Sequence, residues 1–385
     1  MKRNLHAFLA TAGIAFLISC SGGKTADNSL TKSGLDPEKF VSEVNGKKTA
    51  LYTLTNANGM EVCITNFGGR IVSIMVPDRN GEYKDVVLGF DSIGAYLPDV
   101  NASDFGAAIG RYANRINQGK ITIDGTDYQL PQNNFGHCLH GGPSGWQYQV
   151  YDVKEATDST LVLAILSPDG DNGFPGNVNA EVAYTLRADN SLAIAYSATT
   201  DKPTVINMTN HSYFNLSGDP TSPITDNVLT VNASRFTPVD STFMTTGDIL
   251  PVAGTPMDFT QAKVVGAEID KVEYDQIKNG NGYDHNWVLD TENDITKPAA
   301  TLLCPSTGIM LTVYSDEPGI QVYSGNFLDG TVTGKHNITY NSRAGICLET
   351  QHYPDSPNKA NWPSTLLRPD QTYKSNTIFK FTVEK

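Results

Sequence analysis

Short runs of alternating or β-branched residues recur along almost the whole chain, and turn signals separate each run from the next. Residues 121–130 predict a β-hairpin with Asp124 and Gly125 at its turn. Amphipathic helical patterns of a dozen residues are absent from the sequence. Many short strands at this spacing predict an all-β sandwich or barrel. The other clear strands are predicted over residues 161–166, 180–186, 192–198, 343–348 and 377–383.

The strand pattern continues from about Phe40 without a second linker, which predicts one domain over residues 38–385. A chain of 385 residues with 39% hydrophobic content has enough apolar material for a large core, and this excludes wholesale disorder. The formal net charge is -13, from 28 Lys and Arg against 41 Asp and Glu, and no basic run follows the N-terminus. Nucleic acid is therefore excluded as a partner, because a polyanion needs a positively charged surface.

The N-terminus has the features of an exported lipoprotein. A positively charged start precedes an apolar segment over residues 7–18, and Cys20 follows in a context that resembles the lipobox of bacterial lipoproteins. We expect a signal peptide over residues 1–19, and a lipidated Cys20 with a flexible tether over residues 20–37. The protein would then be exported and anchored to a bacterial membrane by lipid alone, facing the periplasm. An ordinary signal peptide with an incidental cysteine is the alternative.

The remaining cysteines occur singly within apolar stretches, and no CxxC pair exists. An exported protein could pair them, but a chain of 41.6 kDa does not depend on disulfides for its stability. Buried free thiols are therefore predicted, with disulfide pairing left open. These cysteines are Cys63, Cys138, Cys304 and Cys347.

Residues 205–216 combine an apolar face with a polar one. Period-two alternation places Ile206, Met208, Phe214 and Leu216 on one side, which we expect to face the core. A strand face of amides, hydroxyls and one imidazole suits a polyol ligand, although a solvated face with an incidental histidine is the alternative. The polar set is Asn207, Thr209, His211, Tyr213 and Asn215.

His137 and His140 lie three residues apart, just before the glycine pair Gly141 and Gly142. The glycines permit close backbone approach, which fits a histidine held at the floor of a cleft and hydrogen-bonded to a ligand. A zinc site that adds Cys138 is the alternative, but these ligands are packed tightly and have no partner pair elsewhere.

Two carboxylates stand at the ends of predicted strands. Asp284 follows a glycine-rich turn, where it could accept hydrogen bonds from vicinal hydroxyls or simply cap the turn. Glu349 ends an apolar strand, and partial burial there would raise its pKa toward the value that a general base needs. An exposed strand-end glutamate is the alternative.

No cofactor or metal is expected. Residues 169–173 resemble a calcium loop superficially, but they lack the distal glutamate and the flanking helices, so a plain turn is predicted. Neither a phosphate-binding lysine motif nor a dinucleotide fingerprint is present.

Taken together, these segments resemble the aldose 1-epimerase (mutarotase) family over the whole chain from about Phe40. A single motif would be weak, but the motifs occur in family order. They are residues 65–69 (TNFGG), 76–79 (VPDR), 87–91 (VLGFD), 110–116 (GRYANRI), 139–142 (LHGG), 209–216 (TNHSYFNL), 283–286 (YDHN), 319–323 (GIQVY) and 348–351 (LETQ).

The resemblance implies a large twisted β-sandwich, the galactose mutarotase-like supersandwich, with a sugar cleft on one concave face. It implies an isomerase that interconverts the anomers of free aldoses such as glucose and galactose. Separately, we expect the protein to be a monomer. Glu349 would be the general base at the C1 hydroxyl, and His211 the general acid at the ring oxygen. His211 must be protonated to donate, which a nearby Glu349 would favour. The sugar hydroxyls would be held by Asn114, Arg115, His140, Asp284 and Gln321, with Tyr213 as a further binding residue.

The sequence is also compatible with two other functions. A glycoside hydrolase also uses two carboxylates in a sugar cleft, although here Glu349 is matched with His211 and Asp284 maps to binding. A non-catalytic sugar-binding lipoprotein on the same fold is the second, although a binder needs neither a base nor an acid.

Overall fold

The computed structural model describes residues 30–384, so the predicted signal peptide, Cys20 and the first part of the tether lie outside the described residues. Within this range the regular secondary structure consists mainly of antiparallel strands, with one α-helix of six residues. None of the helices in residues 30–384 has the length and apolar character needed to cross a bilayer.

Residues 30–384 contain 31 strands. They are β1 (Ser42–Val44), β2 (Lys47–Thr49), β3 (Leu51–Thr55), β4 (Glu61–Thr65), β5 (Arg70–Pro77), β6 (Tyr83–Asp85), β7 (Ala107–Ile109), β8 (Arg115–Ile116), β9 (Lys120–Ile123), β10 (Thr126–Gln129), β11 (Cys138–Leu139), β12 (Asp152–Ala156), β13 (Thr160–Ser167), β14 (Val178–Leu186), β15 (Ser191–Thr200), β16 (Thr204–Val205), β17 (Thr209–His211), β18 (Tyr213–Phe214), β19 (Val228–Val231), β20 (Arg235–Thr237), β21 (Leu250–Pro251), β22 (Lys263–Val264), β23 (Asp284–Val288), β24 (Pro298–Leu303), β25 (Ile309–Ser315), β26 (Gly319–Tyr323), β27 (Val332–Thr333), β28 (Thr339–Tyr340), β29 (Ile346–Gln351), β30 (Leu366–Leu367) and β31 (Tyr373–Val383).

The helical segments are short. The α-helix α1 (Asp275–Gly280) precedes β23. The single 3-10 turns are Pro37–Phe40, Ile93–Tyr96, Asn117–Gly119, Trp146–Tyr148, Asp171–Gly173, Ile224–Asp226, Val265–Ala267, Lys335–Asn337 and Ser356–Asn358.

Two large sheets and one smaller sheet form the body of the molecule. The largest has nine strands in the order β12-β13-β14-β15-β31-β25-β24-β19-β22. A six-stranded sheet follows the order β18-β29-β26-β23-β20-β21, and a four-stranded sheet follows β3-β4-β5-β6. Side chains from all three meet in one core, which includes Val62 of β4, Val182 of β14 and Leu348 of β29. This is the sandwich architecture that the strand spacing predicts.

The alternation along each strand determines which face is covered. In β14 the buried and more exposed residues alternate, so this strand packs on the core through one face only. In β29 all six residues are buried, so both faces of that strand are covered. Ile346 and Leu348 enter the core, and Glu349 points to the opposite face.

Most of the predicted strands are confirmed. The hairpin at residues 121–130 forms β9 and β10, with Ile123 opposite Thr126 across the turn. The strand predicted over residues 343–348 instead begins at Ile346, because Arg343 has a positive φ of 65° within a turn. Ala344 closes that turn by donating its N–H to the Asn341 carbonyl.

The described part of the predicted tether packs on the domain. Lys32 donates its backbone N–H to the Glu61 carboxylate at 2.8 Å, and Ser33 is hydrogen-bonded to Ser73 at 3.0 Å. Leu35 is buried. The packed part of the chain therefore begins before the predicted boundary at residue 38.

The cysteine prediction is confirmed for the described residues. Cys63, Cys138, Cys304 and Cys347 are all buried and free. Cys347 lies beside the cavity described below, and its Sγ is 3.5 Å from Nδ1 of His211.

Candidate active site

The register of the six-stranded sheet gathers the predicted polar residues on one face. Glu349 of β29 lies opposite Gln321 of β26, and Tyr323 of β26 lies opposite Asp284 of β23. Because side chains at paired positions point to the same face, these residues form one polar surface.

His211 reaches the same surface from a neighbouring pair of strands. It ends β17, where it lies opposite Ala107 of β7, and the next strand, β18, pairs with β29. Its Nε2 lies 3.5 Å from Oε1 of Glu349. The two side chains are only 7% and 2% exposed, so the imidazole and the carboxyl group form a buried acid/base pair. A separation of 3.5 Å is longer than a good hydrogen bond.

Burial favours the uncharged forms of both groups. It raises the pKa of Glu349 well above its ordinary value, and the carboxylates of Asp284 and Asp104 raise it further while Arg115 opposes them. Burial also lowers the pKa of His211 to about 4. The expectation that Glu349 would hold His211 protonated is therefore not met, because desolvation is the largest influence on the pKa of the imidazole. The uncharged pair of carboxylic acid and imidazole nevertheless carries the same number of protons as the ion pair of carboxylate and imidazolium.

Asn114 and His140 hold each other in place. The Asn114 N–H donates to Nδ1 of His140 at 3.1 Å, and the His140 N–H donates to the Asn114 carbonyl at 3.0 Å. Because Nδ1 accepts, the ring proton of a neutral His140 is on Nε2, where it can be donated to a ligand. Burial, His211 and Arg115 lower the pKa of His140 well below its usual value, so this ring is neutral.

The predicted role of the glycine pair is confirmed at Gly141. Its φ is +78°, and a Cβ atom there would lie 2.3 Å from the Gly110 carbonyl oxygen. The turn that carries His140 can therefore approach residues 110–111 only with glycine at this position.

Arg115 and Asp284 both line the cavity, and each is held by a neighbouring amide side chain. Arg115 donates Nε and Nη2 to Oδ1 of Asn134 at 3.2 and 2.8 Å. Asp284 accepts a hydrogen bond from Nε2 of Gln321 at 2.7 Å. Burial raises the pKa of Asp284, while Arg115 and Gln321 favour its ionised form. A guanidinium and a carboxylate held in this way can donate to and accept from sugar hydroxyls.

These groups surround one cavity of about 450 Å³. Its lining contains the predicted residues Asn114, Arg115, His140, His211, Tyr213, Asp284 and Glu349. Gln321 is not in the lining, and it reaches the site through its hydrogen bond to Asp284. Tyr213 packs its ring 5.1 Å from that of His211.

Of the five polar residues predicted to share a ligand-facing strand surface, three have structural roles instead. Asn207, Thr209 and Asn215 donate to the backbone carbonyls of His352, Thr350 and Ala344, respectively. Only His211 and Tyr213 face the cavity. The opposite side of the same segment enters the core as predicted, through Ile206, Met208, Phe214 and Leu216.

Seven lining residues were not predicted as site residues, and two of them, Ala102 and Leu139, are small or aliphatic. Asn134 and Asp104 lie in loops without a recognisable pattern, whereas Tyr323 lies inside a family motif. Phe135 and Phe327 are 57% and 51% exposed at the cavity mouth. An isolated aromatic residue in a polar loop, as at Phe135, is the signal that could have indicated this rim.

A larger surface depression of about 710 Å³ lies over residues 254–274. It has no histidine in its lining, and Glu268 is paired there with Lys263 and Lys271. This arrangement lacks an acid and a base facing a common ligand.

The predicted metal alternative at residues 137–140 is not supported. The two ring nitrogens of His137 are hydrogen-bonded to the Gln118 N–H and the Thr242 hydroxyl, and Cys138 packs in an apolar cluster. Two other groups bring ligand-type atoms within 4.8 Å of one another. One group is Asp104, His140 and His211, and the other is His211, Cys347 and Glu349. Because these atoms could hold a metal ion, the absence of a metal from the site stays a prediction.

The family model of aldose 1-epimerase matches residues 50–380. This chain belongs to the aldose 1-epimerase family. The mouse galactose mutarotase is 40% identical over 324 residues, which cover 84% of this chain and 92% of that protein. The aldose 1-epimerase of Escherichia coli strain K12 is 37% identical over 342 residues, which cover 88% and 97%.

Solved structures of the aldose 1-epimerase family share the fold. A GalM/aldose epimerase homologue from C. elegans superposes with a TM-score of 0.79 at 29% identity, covering 88% of this chain and all of that one. The galactose 1-epimerase from Lactobacillus acidophilus NCFM gives a TM-score of 0.78 at 29% identity, covering 89% and 97%. The β-sandwich predicted from the resemblance is therefore confirmed.

Proposed function

We propose that this chain is an aldose 1-epimerase that interconverts the α and β anomers of free aldoses such as glucose and galactose. The observation that carries the proposal is the buried pair of Glu349 and His211, whose reacting atoms lie 3.5 Å apart in a cavity lined by sugar-binding groups. The chain's membership of the family and its sequence identity with galactose mutarotases support the same activity.

In the proposed ring opening, Glu349 as a carboxylate takes the proton from the C1 hydroxyl. His211 as an imidazolium donates its proton to the ring oxygen while the C1–O5 bond breaks. Rotation about C1–C2 turns the aldehyde, and closure on the other face returns both protons to their original groups. The enzyme is unchanged, and each positioned transfer contributes about 10²–10⁴-fold to the rate.

Glu349 and His211 together form the catalytic dyad. It begins this cycle with one proton shared between the two groups, and that proton must be on His211. Burial favours its location on Glu349 when no sugar is present. The C1 hydroxyl donates a hydrogen bond to the Glu349 carboxylate, and hydrogen bonding to the charged form lowers a carboxyl pKa. Bound sugar and the nearby Arg115 therefore favour the reactive ion pair.

The remaining cavity residues fit a polyol. Neutral His140 donates from Nε2, Asp284 accepts, and Arg115 and Asn114 complete the polar wall. Gln321 positions Asp284. The aromatic rim of Phe135 and Phe327 offers apolar surface to the C–H faces of a sugar ring.

Polarimetry tests the proposal. Freshly dissolved α-D-glucose and α-D-galactose are followed with the purified protein at several enzyme concentrations. We expect a faster approach to the same final rotation, in proportion to the enzyme added. A rate equal to the uncatalysed one for both sugars would overturn the proposal.

We also propose that the protein is an exported, monomeric lipoprotein anchored through Cys20. The apolar segment over residues 7–18 followed by Cys20 supports export and the lipid anchor. Labelling cells with a palmitate analogue, followed by fractionation, should show a labelled membrane protein that Cys20→Ser abolishes and Ser21→Ala preserves. An unlabelled wild-type protein would refute the anchor, and sedimentation of the detergent-solubilised protein as a dimer would refute the monomer.

A further inference from the structure

Asp104 lies in the cavity wall on the side of the two histidines. One of its carboxylate oxygens, a ring nitrogen of His140 and a ring nitrogen of His211 all lie within 4.8 Å of one another. Glu349 belongs to a separate group with His211 and Cys347. His211 thus belongs to both groups, and the two carboxylates near it, Glu349 and Asp104, belong to different ones.

The backbone around Asp104 is fixed on both sides. Buried Arg70 donates Nη1 to the carbonyls of Ser103 and Phe105, at 3.1 and 3.0 Å. Gly106 donates its N–H to the His211 carbonyl at 2.9 Å. The φ of Gly106 is +69°, and a Cβ atom there would lie 1.9 Å from the Ile71 carbonyl oxygen. The position of Asp104 beside His211 therefore follows from main-chain contacts.

The Asp104 carboxylate has capacity for a donor. Its Oδ1 is buried, and it accepts no hydrogen bond within residues 30–384. Burial raises the pKa of Asp104 to about 6, and Arg70 opposes that rise, so the group is mostly ionised at neutral pH. A buried charged acceptor without a donor is costly, and a sugar hydroxyl in the cavity would supply one.

We propose that Asp104 is a further sugar-binding residue that accepts a hydrogen bond from the exocyclic hydroxyl at C6 of an aldohexose. This rests on the proposed function, which places Glu349 at O1 and His211 at O5. Around a pyranose, O1, C1, O5, C5 and C6 follow in that order. A carboxylate that is grouped with His211 and not with Glu349 thus fits a place next to C5 and its substituent.

Two sugars that differ only at C6 test this inference. D-Galactose carries the C6 hydroxyl, and D-fucose is its 6-deoxy form. We expect wild-type kcat/KM to be about tenfold to a hundredfold higher for galactose, the usual range for a hydrogen bond to a charged acceptor. Asp104→Ala should bring the galactose-to-fucose ratio of kcat/KM down to about one, whatever change in rate the two sugars share. Asp104→Asn should give an intermediate ratio, because its amide oxygen can still accept.

Asp99→Asn is the matched control, since it removes an exposed carboxylate five residues away and should keep the wild-type ratio. A wild-type ratio near one, or an equal loss for both sugars in the Asp104 variants, would overturn the inference while leaving the epimerase activity in place. If Asp104→Ala does not fold, the ratio for Asp104→Asn decides. A wild type inactive on both sugars would instead overturn the proposed function, and this inference with it.

Discussion

Asn114 and His140, 26 residues apart in the chain, are both held in left-handed backbone conformations by the two hydrogen bonds that join them. Their φ angles are 62° and 50°. Neither residue is glycine, so each conformation carries a local energetic cost. The contact sets the direction in which His140 donates, because the Asn114 N–H occupies Nδ1. Backbone strain is thus used to orient the His140 ring, which we propose binds the sugar.

This strain predicts different costs for two substitutions of Asn114. Alanine avoids the left-handed region, whereas glycine adopts it readily, and both lose the 2.8 Å bond from the Arg115 N–H to Oδ1. We expect Asn114→Ala to lower the free energy of unfolding by about 1–2 kcal/mol more than Asn114→Gly. Urea unfolding of the two variants measures the difference. A glycine variant that is the less stable of the two would contradict the assignment of strain.

The sequence predicted the residue types and strands of the site, but not every contact. Glu349, His211 and Asp284 were predicted because strand alternation and the motifs indicate which side chains share a face. Asp104 was not predicted, because its place depends on Arg70 and Gly106, whose contacts join distant segments. Such pairings are tertiary and leave no local periodicity.

The protonation state of His211 was also beyond the sequence. The nearby carboxylate suggested a raised pKa, but the nearly complete burial of the ring has the larger effect and lowers it. The extent of burial depends on how the sheets pack, which local pattern does not reveal.

The pKa directions of the dyad predict the pH profile of kcat/KM. When the pair of Glu349 and His211 already carries one proton, a second proton goes to His211, whose pKa is lowered to about 4. With both groups protonated, no carboxylate is left to act as the base. Activity should therefore fall only as the pH drops through about 4. The loss at high pH should follow the raised pKa of Glu349. Polarimetry across pH, with enzyme stability checked at each value, measures both limbs. An acid limb at the ordinary histidine value near 6.5 would contradict this account.

Glu349 should reduce stability at neutral pH. Its folded-state pKa is raised, so above the ordinary carboxyl value the unfolded chain loses a proton that the folded chain keeps. Stability then falls as the pH rises, by at most about 1.4 kcal/mol per pH unit. Glu349→Gln removes this loss, so its stability advantage over wild type should grow between about pH 5 and about pH 7. Urea unfolding at both values tests it, and a constant difference would contradict the prediction.

Asn134 should act on sugar binding through Arg115. Its Oδ1 accepts both hydrogen bonds that hold the guanidinium. We expect Asn134→Ala to raise KM about tenfold with a smaller change in kcat, because the contact serves ground state and transition state alike. Gln132→Ala is the control, since its amide donates to the Gln118 carbonyl instead. An unchanged KM, or a loss confined to kcat, would contradict the positioning role.

The most direct test of the account compares Glu349→Gln with wild type on α-D-galactose. Polarimetry gives the rate, calorimetry gives the affinity for the sugar, and Glu273→Gln, which changes an exposed glutamate, is the control. The account predicts that Glu349→Gln lowers kcat by about 10²–10⁴-fold and leaves affinity nearly intact, since the amide fills the same space without accepting the proton. Turnover by Glu349→Gln at the wild-type rate would contradict the assignment of Glu349 as the base.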